Sequence, residues 1–198
     1  MVSLRSLVTG AVALMAAAVN AAATPQQIAD SIKSITDKGA ELQAPAQSIT
    51  ILNAPLIVIG QGPFPTLITG FNDIVSTANV LISQLPGTDP VQRRGRIPAG
   101  IARRGPDADL VFNAYREMVS VYQILLNILI GKAGLLEQIP LVGQPVATAL
   151  RNVEGVVDTI AITLINLVES RARDLESEAN SLDATLSLCI NKYDGLGA

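Results

Sequence analysis

Apolar residues recur every three or four positions along most of the chain, which is the period of an α-helix. In the segment 25–43 this spacing puts Ile28, Ile32 and Ile35 on one face, and Thr24 supplies an N-cap just before Pro25. The same spacing predicts helices at 65–85 and from 107 to about 139. It continues over 140–192, as one helix or as two that meet at Gly155 or near 171–174. The pattern predicts an all-α bundle of about five helices.

The stretch Leu42–Asn72 departs from this amphipathic pattern because it contains no charged residue. Prolines interrupt it, and its apolar pieces are far shorter than the roughly 20 residues that span a bilayer. We therefore predict a second helical segment over 45–59, buried on several sides, in which Pro55 kinks the helix or ends it near Asn53. A second charge-free run, Met118–Gly131, is the natural opposite wall at the centre of the bundle, and the prolines would hold the two walls apart around an apolar cavity.

The N-terminus has the organisation of a secretory signal peptide: Arg5, then an apolar run over 7–19, then small residues. We expect a signal peptide over 1–21, with cleavage as late as residue 23, and no transmembrane segment in the mature chain. The rest is predicted to be one helical domain over 24–192, followed by a frayed tail at 193–198. The expected location is outside the cell, in the medium or at the cell wall.

Composition narrows the chemistry that the chain can support. The 198 residues include no histidine and one cysteine, and the formal net charge is −3. Without histidine there is no His-based triad and no His metal site, so we predict no catalytic residue, metal ligand or cofactor. A mildly acidic chain is also a poor general partner for nucleic acid. Cys189 lies on the apolar face of the last predicted helix and is predicted to be a buried, inert thiol. An intermolecular disulfide is the alternative.

Two charged segments have non-catalytic interpretations. The acidic group around Glu169–Glu178 alternates with arginines and is typical of a solvated helix face rather than of a paired-carboxylate site. The segment 88–106 is rich in arginine and glycine and is predicted to be a flexible loop. Three interpretations stay open for this loop: an exposed, solubilising loop, an anion-binding loop, and a processing site. The third rests on the dibasic pairs Arg93-Arg94 and Arg103-Arg104, which are of the type that secretory proteases cleave; the cuts would follow Arg94 and Arg104.

The few aromatic residues cluster with the charge-free runs. Plain core packing is one interpretation, and the lining of a lipid cavity is the other. For the cavity, the predicted lipid-binding residues are Leu56, Ile59, Phe64, Leu67, Phe71, Tyr115, Met118, Tyr122 and Leu125. Tyrosine hydroxyls, Gln61 or Gln123 would hold the polar end of the ligand.

The order of these features resembles the fungal hydrophobic surface-binding protein A family, which includes cell-wall galactomannoproteins. The resemblance rests on the Ile28, Ile32 and Ile35 helix, the apolar segment broken by prolines, and the long final helix that ends near Leu186–Ile190. It implies a secreted or wall-associated helical bundle without enzymatic activity, whose members adsorb to hydrophobic surfaces or hold fatty acids in a central cavity. The arginine-rich loop is a departure from the family pattern, and so is the missing Ser/Thr-rich tail.

These observations favour a secreted, non-catalytic binder of a fatty acid, a related lipid or a hydrophobic surface. The alternative is a structural or antigenic wall protein with a self-packed core and no lipid ligand. A secreted inhibitor of a partner enzyme is a third interpretation, although bundles of that type use cysteine pairs that this chain lacks.

Overall fold

The structure is a computed structural model that describes residues 23–53, 56, 60–85, 105–136 and 143–197. Within these residues there are five long helices, one short helix and no strand. The helices are α1 (Pro25–Glu41), α2 (Gln43–Gln47), α3 (Pro63–Gln84), α4 (Pro106–Ala133), α5 (Gly143–Leu167) and α6 (Ala172–Asp194). Turns of 3-10 helix follow α4, join α5 to α6 and follow α6. The prediction of an all-α bundle of about five helices is confirmed.

The long helices form a closed ring of neighbours. Going round it, α1 packs on α4, α4 on α6, α6 on α5, α5 on α3, and α3 on α1 again. Helix α2 packs against α3 and α4. The predicted walls, α3 and α4, are therefore not adjacent but face each other across the axis of the ring. Helix α4, which carries the run predicted as one wall, is one of five walls, and side chains from all five form one apolar core.

Prolines begin helices in this fold. Pro25, Pro63 and Pro106 each stand at the first position of a long helix, where a missing N–H costs nothing. At α1 the predicted N-cap is confirmed: the hydroxyl of Thr24 accepts a 3.2 Å hydrogen bond from the backbone N–H of Gln27, whose side chain accepts one in return. The predicted kink at Pro55 lies outside the described residues.

The predicted second helix over 45–59 is wrong. Helix α2 ends at Gln47, and residues 48–53 form turns in which Leu52 is 89% exposed. The cause is local, since the side chains of Ser48 and Asn53 bond backbone groups that a helix would have used. The segment is therefore not buried on several sides. Residues 54–55 and 57–59 are outside the described part of the chain.

The predicted last helix is divided into α5 and α6 at Val168–Arg171, next to the second of the two expected positions. Gly155 lies inside α5. Arg171 fixes this corner, because its guanidinium donates hydrogen bonds to Asp109 on α4 and to Asp174 on α6. It also lies over the ring of Phe112, 5.2 Å from the centroid.

Helix α6 continues to Asp194, and a 3-10 turn follows over Gly195–Gly197. The side chain of Tyr193 is fully buried, so its aromatic ring packs the last turn of α6 against the bundle. The fraying predicted for 193–198 stays a prediction. At the other predicted boundary, α4 ends at Ala133 with a 3-10 turn over Gly134–Leu136, and 137–139 lie outside the described residues.

Among the described residues, the span Pro106–Leu136 has the length and apolar character of a helix that could cross a bilayer. Length and composition are the only basis for that statement. A helix that packs against others along much of its length in a bundle meets the same criterion, because the core demands the same apolar side chains. Buried residues of α4, from Ala108 to Ala133, face the interior of the ring.

Candidate functional site

The apolar core contains seven of the nine predicted lipid-binding residues. Phe64, Leu67 and Phe71 come from α3, and Tyr115, Met118, Tyr122 and Leu125 come from α4. Every one is at most 1% exposed, and all belong to the same apolar cluster. The three- and four-residue spacing of the sequence puts them on the inward faces of their helices. The structure therefore buries all seven in the core, and their role in lipid binding stays a prediction.

The remaining predicted site residues do not join this interior. Leu56 is 37% exposed and belongs to the connection between α2 and α3, and Ile59 lies outside the described residues. Gln61 is exposed, and Gln123 donates a 2.8 Å hydrogen bond to the hydroxyl of Ser181 at the surface. Neither glutamine therefore faces the interior in this structure, and the role predicted for them stays a prediction. Arg94 and Arg104 fall outside the described part of the chain.

The interior is filled at these seven residues. A side chain with no accessible surface touches neither solvent nor a void that would admit a water molecule. Phe64, Leu67, Tyr115 and Met118 are all 0% exposed. The expected apolar cavity is thus closed along this part of the core, and a ligand there would have to displace side chains.

Tyr115 differs from the other two tyrosines of the chain in its hydrogen bonding. The hydroxyl of Tyr122 donates to the carbonyl oxygen of Ile35 at 3.2 Å, and that of Tyr193 donates to the carbonyl oxygen of Leu129 at 3.1 Å. The hydroxyl of Tyr115 is equally buried, yet it has no hydrogen-bond partner in the described structure. An unpartnered buried hydroxyl is costly, so this oxygen marks the point in the core where a polar ligand atom would be stabilised.

The environment keeps all three phenols protonated. Burial raises the pKa of Tyr115, Tyr122 and Tyr193 well above the ordinary value. At Tyr115 the negative charges of Asp158 on α5 and Glu178 on α6 raise the pKa further. The Tyr115 hydroxyl is therefore available as a hydrogen-bond donor. The sequence identified the tyrosine hydroxyls as candidates but had no means to tell which one lacks a partner.

Carboxylates gather between α5 and α6. The pKa of Glu154 is raised by burial and by the charges of Asp158 and Asp183, and the pKa of Asp158 is raised by burial and by Asp183. Within the described residues, no group of His, Cys, Asp and Glu has the arrangement of a metal site. The acidic group around Glu169–Glu178 is solvated as predicted, with Glu178 in an ion pair with Arg116.

Cys189 is free and fully buried, as predicted. Burial raises the pKa of its thiol to about 12. At neutral pH it is therefore a protonated apolar side chain rather than a nucleophile.

Comparison with known proteins gives one informative result, at the level of the fold. No protein-family profile matches the chain, and no curated protein matches it significantly. Among solved structures, it is similar to the crystal structure of AfMP4p in complex with palmitic acid, with a TM-score of 0.67 and 15% sequence identity. The alignment covers 85% of this chain and 99% of the other. At this identity the likeness shows a related fold, that of a fungal mannoprotein.

Proposed function

We propose that this protein is a secreted, non-catalytic carrier of a single-chain lipid, which it holds along the axis of the five-helix ring. The observation on this chain that carries the proposal is the buried, unpartnered hydroxyl of Tyr115 in a core where the hydroxyls of Tyr122 and Tyr193 both have partners. The likeness of the fold to a structure that contains palmitic acid supports the same proposal.

Binding would work by burial of apolar area, at about 25 cal/mol per Å². A ligand chain would lie between the inward faces of α3 and α4, which are not neighbours in the ring. Met118 lies at the centre of α4's buried face, and its flexible side chain suits a core that must repack around a guest.

At the polar end of the ligand, the Tyr115 O–H would donate a hydrogen bond to a ligand oxygen. The negative charges of Asp158 and Glu178 raise the pKa of this hydroxyl, so its surroundings are electrostatically negative. A protonated acid, an alcohol or an ester carbonyl therefore meets less repulsion at Tyr115 than a carboxylate does. The proposed ligand is a long-chain lipid whose polar end is uncharged when bound.

The test combines lipid extraction with a matched pair of variants. Organic extraction of the purified secreted protein, followed by mass spectrometry, is expected to release long-chain lipid. Tyr115→Phe should weaken binding of a fatty alcohol by about tenfold, the value of one hydrogen bond, and leave binding of an alkane of equal length unchanged. Tyr193→Phe is the control, because its hydroxyl already has a partner. Equal affinities of both variants for the alcohol would remove Tyr115 from the site.

A second candidate function is a structural wall protein with a self-packed core. The observation that favours it is the complete burial of the interior residues, with no water-sized space against Phe64, Leu67, Tyr115 or Met118. Absence of co-extracted lipid, together with no binding of a fluorescent acyl probe, would decide for this function and against the carrier.

An extracellular or cell-wall location is part of the proposal. It is supported by the apolar N-terminal segment after Arg5 and by the likeness to a fungal mannoprotein fold. N-terminal sequencing and intact mass of secreted material test it: a start at residues 22–24 is expected. Additional starts after Arg94 or Arg104 would establish processing of the arginine-rich segment.

A further inference from the structure

A loop between α2 and α3 presents large apolar side chains to solvent. Ile51 is 65% exposed and Leu52 is 89% exposed, and Leu56, a little further along the same connection, is 37% exposed. The other exposed large apolar side chains are single positions on four different helices: Val80, Ile124, Ile162 and Leu188. Within the described residues, exposed apolar side chains are therefore concentrated at this loop, which we call the Ile51 loop (residues 49–53).

Hydrogen bonds fix the conformation of the Ile51 loop, so its exposure does not result from fraying. The side-chain amide of Asn53 donates to the carbonyl oxygen of Ser48 at 2.7 Å and accepts from the backbone N–H of Thr50 at 2.8 Å. The ammonium group of Lys132, at the end of α4, donates to the carbonyl oxygen of Ile49 at 2.8 Å. Ile49 itself is fully buried in the core. These contacts hold Ile51 and Leu52 outward.

The loop is also suited to an apolar medium. It lies in the stretch between Glu41 and Asp73 that has no charged residue, so its insertion would not require the desolvation of a charge. Several of its backbone polar groups are already bonded within the connection, including Leu56 N–H to the carbonyl of Asn53 at 3.1 Å. Internal satisfaction of the backbone is what permits a segment to enter lipid.

One cation stands at the base of the Ile51 loop. Lys132 is partly exposed, and its bond to the carbonyl oxygen of Ile49 holds its ammonium group at the loop. A positive group held at the loop would meet the headgroup layer when Ile51 and Leu52 are inserted, and it is attracted by anionic lipids.

We propose that the Ile51 loop docks the protein on the surface of a lipid bilayer. The side chains of Ile51 and Leu52, together with Leu56 next to the loop, enter the boundary between headgroups and acyl chains, while Lys132 meets the headgroups. A second protein copy is a poorer occupant, because three side chains cannot supply the roughly 1,200 Å² that a specific interface buries. If the proposed carrier function holds, this is where the single-chain lipid is exchanged; the docking itself does not depend on it.

The absence of tryptophan from the chain provides a direct test. Leu52→Trp places a single fluorescent reporter in the loop, and Ile162→Trp places one at a comparably exposed site on α5. Phosphatidylcholine vesicles, with and without phosphatidylglycerol, are then added to each variant of the full secreted chain. The emission of the Leu52 reporter should shift to shorter wavelength, more strongly with phosphatidylglycerol, while that of the Ile162 reporter stays unchanged.

A second pair of variants measures the partition directly. In co-sedimentation with the same vesicles, the double variant Ile51→Ser with Leu52→Ser should bind at least about tenfold more weakly than the unchanged chain, because two large apolar side chains no longer enter the lipid. The double variant Ile162→Ser with Leu188→Ser is the control and should bind as the unchanged chain does. All four positions are exposed, so neither double variant should prevent the protein from folding.

Three results would overturn the docking proposal. They are an unshifted Leu52 reporter, equal shifts from both reporters, and a shift in the absence of vesicles that grows with protein concentration, which would assign the loop to a second copy. Failure of docking leaves the carrier function testable by the acyl probe in detergent-free solution. Failure of the carrier function leaves the vesicle result unaffected.

Discussion

The ring of Tyr122 on α4 lies directly against Gly39 on α1. A Cβ atom at residue 39 would stand 2.6 Å from the Cε2 atom of that ring, closer than such atoms approach in proteins. The hydroxyl of the same ring donates to the carbonyl oxygen of Ile35, one turn earlier on α1. Helix α1 thus approaches α4 closely because residue 39 has no side chain, and it is held in register by one buried hydrogen bond.

This relationship predicts opposite effects of the same substitution at two helical glycines. Gly39→Ala should lower the free energy of unfolding by about 1–2 kcal/mol, because overpacking against a rigid ring outweighs the gain in helix propensity. Gly155→Ala on α5 should raise it by about 0.5–1 kcal/mol, because the site is exposed and open. Urea unfolding followed by circular dichroism measures both. A gain in stability at residue 39 would contradict the close contact.

The three buried tyrosines should respond differently to loss of the hydroxyl. Tyr122→Phe and Tyr193→Phe each remove a hydrogen bond and should cost about 1 kcal/mol of stability. Tyr115→Phe removes an unpartnered hydroxyl and should be neutral or stabilising in lipid-free protein. Denaturant unfolding of the three delipidated variants provides the comparison. A comparable loss at Tyr115 would show that its hydroxyl has a hydrogen-bond partner in the folded protein.

Stability should fall as pH rises through the range of the α5–α6 carboxylates. The folded protein raises the pKa of Glu154 and Asp158 above their ordinary values of 4.5 and 3.8, so it holds their protons more tightly than the unfolded chain does. The stability present below those values is lost as pH rises through the raised values, where both groups ionise beside Asp183.

Asp158→Asn isolates that effect. The variant should lose less stability over this pH range and be slightly more stable than the unchanged chain at neutral pH. The gain should stay below about 1 kcal/mol, because Asp158 is largely exposed and solvent screens its charge. Unfolding curves between acid and neutral pH give the slopes, and an unchanged slope for Asp158→Asn would refute the assignment.

Cys189 should report global unfolding. Its thiol is fully buried and its pKa is raised to about 12, so a thiol reagent should label the native protein very slowly at mildly alkaline pH and rapidly in denaturant. Absorbance of the released chromophore measures the rate. Fast labelling without denaturant would show that α6 opens locally.

Local sequence determined most of the helices. The three- and four-residue spacing located α1, α3, α4 and the α5–α6 segment, because a helix must bury a continuous stripe. Thr24 before Pro25 located the first helix start to the residue. The same spacing selected Phe64, Phe71, Tyr115 and Tyr122 as inward-facing, and all four are buried.

Apolar composition gave a wrong prediction for the segment after α2, because side-chain hydrogen bonds to the backbone competed with helix formation there. Leu42–Asn72 looks uniformly buried in the sequence, but Asn53 and Ser48 stop the helix and turn Ile51 and Leu52 outward. Hydropathy does not distinguish a side chain that packs inside from one that a rigid turn presents to solvent, because both have the same composition.

What the sequence by itself determined is therefore the class of fold, the inward faces of the long helices and the absence of histidine chemistry, since each depends on residue type and spacing along one element. Tertiary structure alone decided the order of helices in the ring, the closed state of the core, and which tyrosine hydroxyl lacks a partner. These depend on contacts such as Tyr122 with Ile35 and Tyr193 with Leu129, which join residues 87 and 64 positions apart. No local pattern encodes such distances, because they are set by how five apolar faces close on one another.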